Sequence, residues 1–551
     1  MRRSRAQRAA LISAGLSMVL ALAACSDPTQ DDTSESGGEG ATGDSGGSED
    51  TTLNAYLYQP PASNWSPMAP ASGPDQVVMN LIYDSLLGVD PDYKLYPRLA
   101  TDLPEISEDG LTITYHLKEG LTWSDGEPFT AEDVVFTYNL MADPDTGSTA
   151  TGRFSDVVGA PEVAAGTADT VSGFTAPDET TFQIQLTKPN VGLVGLTGNI
   201  MIVPQHVLAD VPVDEMDTTE FFTQSPNVGM GPYVFQEYAT DQYIHLVKNP
   251  SFRDGEPEID EIYLRPVTSD VATAQLGTGE MDLVQISPAD LETVEAMDGI
   301  EIGTGPGAGY IRTSVNEKKP YLQDVRLRQA MLYAVDRQQL IDQALGGYAQ
   351  PVNASFMNDA LPDDLETYDY DPDRARELLA EMNWDPNQVI TLSWIPGQRD
   401  RDTAATILES QLNEVGIKLQ LNQVQPGQLT DMMNEQSYDM TLYGGGNYAT
   451  EPFAVFGINA CSTHFPAGGN LSYWCNEEFD QLMLEANATV DEAARYDLYQ
   501  QAARIENAEV PMIYLYNPDT IWAYTEAIEG FVPNGDFTNP FWNVQEWSLN
   551  R

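Results

Sequence analysis

Positive charge is what this chain has least of. Its 551 residues include 26 Lys and Arg against 84 Asp and Glu, a formal charge of −58. Nucleic acid is excluded as a partner, because phosphate backbones are held by basic surfaces. Electrostatic docking onto an anionic bilayer is disfavoured for the same reason. Histidine is scarce too, and the four present (His116, His206, His245, His464) are dispersed and match no zinc-ligand spacing. No hydrophobic run after the N-terminus is long enough to span a membrane. Aromatic residues, by contrast, are plentiful. The 26 Tyr, 17 Phe and 8 Trp exclude disorder throughout, and at ~100–200 residues per domain the length implies two to four domains.

There are 3 cysteines. Cys461 and Cys475 stand 14 residues apart. In an exported protein they read as a disulfide, contributing ~3 kcal/mol on the loop-entropy model. A zinc site there would have only His464 to add. Cys25 ends an apolar N-terminal stretch, residues 9–24, which follows Arg2, Arg3, Arg5 and Arg8. The stretch is shorter than the ~20 residues of a membrane helix and reads as a secretory signal. Its end, Leu22-Ala23-Ala24-Cys25, resembles a bacterial lipobox. That resemblance implies cleavage before Cys25 and a diacylglyceryl thioether on it, so that the protein is held to the membrane by its lipid alone. Residues 26–52 are Ser, Gly, Thr and acid, a composition that gives a flexible tether. Within them Gly43-Asp44-Ser45-Gly46-Gly47 matches a nucleophile-elbow pattern, but a disordered linker lacks the strained turn that a nucleophile needs.

From Leu53 onward strands and helices are mixed. Period-two alternation predicts strands at 111–117, 243–247 and 262–264. Asp371 followed by Pro372 predicts a helix start, with Ala375, Leu378, Leu379 and Met382 on its buried face. Further helices are expected after Asp324, through 407–415 with Gly416 as C-cap, and after Asp491. The stretch from Gly120 to Phe136 reads as a strand, an Asp125-Gly126 turn and a helix whose start is boxed by Thr130 and Asp133. It carries no chemistry. The chain shows no nucleophile, metal cluster or carboxylate pair with supporting context, which argues against an enzyme. An enzyme or a sensory module is therefore the less favoured reading.

That stretch resembles the signature of the family 5 extracellular solute-binding proteins, the dipeptide, oligopeptide and nickel receptors of ABC importers. Other blocks agree in order: Tyr83-Asp84-Ser85-Leu86-Leu87, Pro97-Arg98-Leu99-Ala100, Val203-Pro204-Gln205-His206, Gly229-Met230-Gly231-Pro232-Tyr233, Asp324-Val325-Arg326-Leu327-Arg328, and Val510-Pro511-Met512. The resemblance implies an α/β, two-lobed periplasmic-binding-protein-like fold (type II, cluster C-like) with an extra subdomain in lobe one. The expected division is a signal peptide over 1–24 and the lipidated Cys25 with its tether over 25–52. Lobe one follows as 53–84, 203–311 and 512–551, its subdomain as 85–202, and lobe two as 312–511. Hinges are expected near 310–315 and 511–518. It also implies a monomer without cofactor or enzymatic activity, anchored outside the cytoplasm. Its partners are then the permease and ATPase subunits of an importer, to which it delivers peptides; an oligosaccharide or another small solute is the alternative cargo.

In peptide receptors of this family the ligand's amino group usually meets an Asp, in a Trp-containing segment ahead of an acidic-Pro pair. Here the segment ends Tyr443-Gly444-Gly445-Gly446-Asn447-Tyr448-Ala449-Thr450-Glu451-Pro452; Tyr448 or Ala449 stands where the Asp is expected, and there is no Trp. An ammonium buried without a carboxylate is costly, and Glu451 is the substitute close by. Candidate ligand-binding residues are Asn64, Trp65, Trp394, Tyr443, Gly445, Gly446, Asn447 and Tyr448. The run Gly303-Thr304-Gly305-Pro306-Gly307 lacks the Lys-Ser/Thr of a phosphate loop. Arg374 occupies the position where a calcium loop beginning at Asp369 needs Gly.

Overall fold

The structure is a computed structural model and describes residues 51–551 apart from 70, 149, 308 and 448–450, with the backbone alone for 445–447. The expected signal peptide, Cys25, the tether up to residue 50 and Tyr448 lie outside the described residues.

Alternating burial builds the sheet. In Thr52–Leu57 the side chains of Leu53, Ala55 and Leu57 are buried while their neighbours stay half-buried. This strand pairs in parallel with Glu261–Pro266, which has the same pattern. Tyr243–Lys248 and Tyr233–Ala239 continue the sheet in antiparallel fashion. On the other side Leu283–Ile286 leads to the long strand Met512–Thr525.

That long strand belongs to both lobes. From Asp519 onward it pairs with Ile300–Pro306, in lobe one. Before that it pairs with Gly309–Val315, which is followed outward by Met440–Asn447, Val389–Trp394 and Lys418–Gln423. The chain therefore crosses between the lobes twice, side by side: once between Pro306 and Gly309, once near Pro518. Each lobe has its own core. Leu53, Trp65, Ile262 and Trp547 belong to one, Leu327, Leu392, Trp394 and Leu412 to the other.

The subdomain is a four-stranded antiparallel sheet in the order Glu105–Ile106, Thr112–His116, Thr181–Gln185, Phe174–Asp178. Helix Ala131–Ala142 lies across it, and Tyr138 meets the rings of Phe182 at 4.8 Å and Phe174 at 5.6 Å. Its start is the capping box expected from the sequence, with Thr130 N donating to Asp133 Oδ2 at 2.9 Å. The apolar core of lobe one runs on unbroken into this subdomain.

The expected helices form for local reasons. Arg374 N donates to the Asp371 side chain at 2.9 Å ahead of Pro372–Glu381. Arg399–Val415 ends at Gly416, whose φ of +97 suits glycine. Val325–Ala334 and Glu492–Glu509 follow their Asp caps, Asp324 and Asp491. Cys461 and Cys475 are joined as a disulfide with S–S 2.09 Å.

Candidate functional site

Segments far apart in the chain meet between the subdomain and lobe two and enclose a cavity of about 480 Å3. Tyr93, Lys94 and Val191 line it from the subdomain; Glu451, Arg495 and Tyr496 line it from lobe two.

A tight turn delivers Tyr93. The Asp90 side chain accepts from Asp92 N at 3.0 Å and Lys94 N at 2.8 Å, which forces Tyr93 to a φ of 60. A left-handed non-glycine residue costs ~1–2 kcal/mol. The phenol offsets that cost by donating to Pro306 O at 2.8 Å, at the crossing between the lobes. Burial and then the nearby Asp536 push its pKa up, so Tyr93 stays a donor.

Glu451 follows the undescribed 448–450 and begins a short helical turn at Pro452. It is 7% exposed. Tyr499 Oη donates to its Oε1 at 2.6 Å. Burial raises the pKa of this carboxyl group, against the opposing pull of the Tyr499 bond, the Arg495 charge and the Phe453 N–H. Arg495 in turn donates to Thr489 O at 3.3 Å and Val490 O at 3.2 Å, and lies over the Tyr496 ring at 5.7 Å. The cleft thus presents the carboxyl groups of Asp359, Glu451 and Glu492, the Arg495 guanidinium and the Tyr496 phenol on lobe two, facing the Lys94 ammonium and the Tyr93 phenol on the subdomain. Such a lining suits a polar solute carrying both donors and acceptors.

A second hollow of about 480 Å3 lies in lobe one and shares Asp536 with the surroundings of Tyr93. Its wall includes Asp84, 1% exposed, which both Arg98 and Arg253 contact as ion partners. One carboxylate held by two guanidiniums is a staple between the strands of the subdomain and the body of lobe one.

The structure moves several predicted ligand contacts into the core. Trp65 is 1% exposed and packs on Phe235 at 4.8 Å and Tyr238 at 6.0 Å, and its backbone N–H donates to Phe222 O at 3.0 Å. Its loop folds back onto the sheet, so the ring fills lobe one instead of the cleft. Asn64 closes that loop: its amide donates to Asp217 O at 3.2 Å and its oxygen accepts from Ser66 N at 3.1 Å. Trp394 is 2% exposed in the core of lobe two, where Nε1 donates to Asp402 at 2.8 Å and fastens the strand end to the next helix.

Tyr443 is 40% exposed and stands opposite Arg312 in register. Gly445, Gly446 and Asn447 continue its strand, with Asn447 opposite Gly309. The glycine run is therefore strand and not turn. At Gly444 a Cβ would lie 1.9 Å from Arg401 Nη2, so glycine lets that guanidinium lie across the strand.

Tyr93, Lys94, Val191, Arg495 and Tyr496 were not singled out from the sequence. Asp90-Pro91-Asp92 has the composition of a turn, but no local pattern says that it faces Glu451 and Arg495, far along the chain. Among the described residues, no three His, Cys, Asp or Glu are grouped to hold a metal ion, and no helix is long and apolar enough to cross a membrane.

Comparison with known proteins places this geometry. The model of the bacterial extracellular solute-binding proteins, family 5 (middle), matches residues 94–466. The oligopeptide-binding protein AppA of Bacillus subtilis is 25% identical over 499 residues, covering 86% of this chain and 87% of AppA. The dipeptide-binding protein of Escherichia coli is 25% identical over 464 residues, covering 80% and 84%. The crystal structure of the ABC transporter substrate binding protein CtaP from Listeria monocytogenes superposes with a TM-score of 0.80 at 26% identity, covering 91% of this chain and 99% of that one. With the family model matching most of the chain, and the two lobes, paired crossings and enclosed cavity in place, the protein belongs to the bacterial extracellular solute-binding proteins of family 5.

Proposed function

We propose that the protein captures peptides between its lobes and hands them, chemically unchanged, to the permease and ATPase subunits of an ABC importer. The observation that carries this reading is the cavity walled by both halves of the molecule, with charged side chains on each side. A ligand touching both walls binds the closed form better than the open one and shifts the population toward it. Micromolar capture corresponds to ~8 kcal/mol net of the cost of closure. The relatives named as oligopeptide- and dipeptide-binding proteins support the choice of peptide.

In this reading the expected bounds at 311 and 512 move to the crossings: lobe one comprises 53–84, 203–306 and 519–551, the subdomain 85–202 and lobe two 309–518. The monomeric protein is tethered through a lipid on Cys25, and Tyr443, Gly445, Gly446 and Asn447 lie on the strand beside the ligand, with Tyr448 next to them in sequence as a further ligand contact. Native mass spectrometry of the purified protein, followed by fluorescence titration with peptide and oligosaccharide panels, tests it. A co-purified peptide and saturable peptide titration are expected; saturation by oligosaccharides with no response to any peptide overturns it.

A further inference from the structure

Beside the cavity lies a contact between the subdomain and lobe two that is held by a chain of buried amides. Val191 N donates to Asn487 O at 2.9 Å, and Gly192 N donates to Asn487 Oδ1 at 2.8 Å. Asn487 Nδ2 donates to Asn190 Oδ1 at 3.1 Å, while Asn190 Nδ2 donates to Asp156 at 3.0 Å. Asn190 is 8% exposed and Asn487 6%. Both amides are thus used at each end, and an opened contact would return them all to water.

The approach is close enough to require glycine. A Cβ on Gly192 would lie 2.7 Å from Asn487 Oδ1 and 3.2 Å from Glu451 Cγ and Phe453 Cβ. Pro189 and Val490 flank the contact, both within reach of a Cβ on Gly110. Val191, Glu451 and Val490 also line the cavity, so the contact is itself a wall. At the crossing between the lobes the cavity is bounded by Tyr93, which is tied to Pro306. Its volume of about 480 Å3 lies in the lower part of the ~300–1,000 Å3 range of small-molecule sites.

We propose that the Asn190–Asn487 clasp is the length stop of the site. A peptide that fits between Tyr93 and Val191 leaves the clasp closed and gains its hydrogen bonds as the lobes shut. A longer peptide has to pass Val191, which parts Gly192 from Asn487 and forfeits those bonds. The clasp therefore sets an upper limit on ligand length without touching any ligand side chain. This inference rests on the peptide reading above.

The test is calorimetric titration of the full chain with an uncharged series from dialanine to octaalanine, comparing wild type with Asn487→Ala and Gly192→Ala. Urea midpoints of all three proteins are measured alongside. Wild type is expected to lose affinity about tenfold or more beyond a threshold length, and Asn487→Ala to shrink that step to about threefold or less. Gly192→Ala, whose methyl group wedges the same contact from the other side, is expected to do the same, and carries the test if Asn487→Ala does not fold. Equal affinity of wild type at every length, or an unchanged step in the folded variants, overturns the length stop alone. Failure of every peptide to bind overturns the peptide reading and the stop with it.

Discussion

Replacing Glu317 by Gln removes a carboxyl group that the fold keeps close to half-protonated at neutral pH. Glu317 is buried to 16% side-chain exposure and meets Arg328 Nη2 at 3.3 Å. Arg328 is committed elsewhere. It donates to the carbonyls of Glu509, Val510, Leu322 and Gln323 at 2.8–3.2 Å, so it stabilises the Glu317 anion only in part. Burial, the largest cause, pushes Glu317 from 4.5 up to about 7; Arg328 opposes the rise and the Glu509 charge adds to it. The folded state therefore holds its proton to higher pH than the unfolded chain does. Stability is highest below the unfolded value and is lost as pH rises from about 4.5 through about 7.

At ~1.4 kcal/mol per unit, the loss attributable to this one group is about 2–3 kcal/mol between roughly pH 5 and pH 8. Wild type and Glu317→Gln are to be unfolded in urea, followed by tryptophan fluorescence, at steps across that range. The many other carboxylates titrate identically in both proteins and cancel in the difference. The variant is expected to gain on wild type steadily as pH rises. A difference constant to within ~0.5 kcal/mol across the range refutes the reasoning, because independent sites add to about that accuracy.

Reducing the Cys461–Cys475 disulfide, or replacing both by Ser, is expected to lower the unfolding free energy by about 3 kcal/mol through loop entropy; an unmoved urea midpoint counts against it. Trp65→Ala is expected to cost about 3–5 kcal/mol by emptying a core site, while Trp65→Phe leaves ligand affinity unchanged. A stable Trp65→Phe protein that no longer binds ligand would restore the ring to the cleft. Tyr499→Phe deprives the buried Glu451 of its donor and is expected to cost about 1–3 kcal/mol in urea unfolding, with a midpoint equal to wild type as the refuting result. Self-repulsion of a −58 chain is expected to make the protein more stable as salt rises. Shortening the Debye length from ~30 Å at 0.01 M to ~3 Å at 1 M should raise the midpoint, and a maximum at the lowest salt would contradict this.

What was legible in the sequence was whatever is decided locally. The Thr130–Asp133 box, the Asp371-Pro372 start and the Gly416 stop each satisfy helix-end groups within a few residues. The alternating strands declare which side faces a core. The cavity obeyed no such rule, since it is assembled from residues near 93, 191, 451 and 495 brought together only by the double crossing. Trp65 and Trp394 show the cost of reading aromatics by position. A tryptophan between prolines, or at a strand end, suits a pocket and a core equally well in sequence. What separates the two is which surface the segment folds against, here Phe235 and Tyr238 for the first and the helix carrying Asp402 for the second.

The scarcity of cations acquires a structural meaning once their places are known. Arg98, Arg312, Arg328, Arg337 and Arg495 are each under 10% exposed, out of only 26 Lys and Arg in the chain. Several of them serve backbone carbonyls as much as carboxylates. Arg337 donates to Val352 O at 2.6 Å and also to Thr367 O, and although burial lowers its pKa to about 10 it remains charged at neutral pH. A planar guanidinium reaches two carbonyls on different segments at fixed angles, which an ammonium does not. These arginines gather helix ends and loops, Arg328 beside the strand that crosses between the lobes and Arg495 at the rim of the cleft. With 84 acids to 26 cations most carboxylates stay unpaired wherever the cations lie, and holding these arginines inside leaves the surface more acidic still. The lining of the ligand site is nearly balanced by contrast, with Asp359, Glu451 and Glu492 set against Lys94 and Arg495.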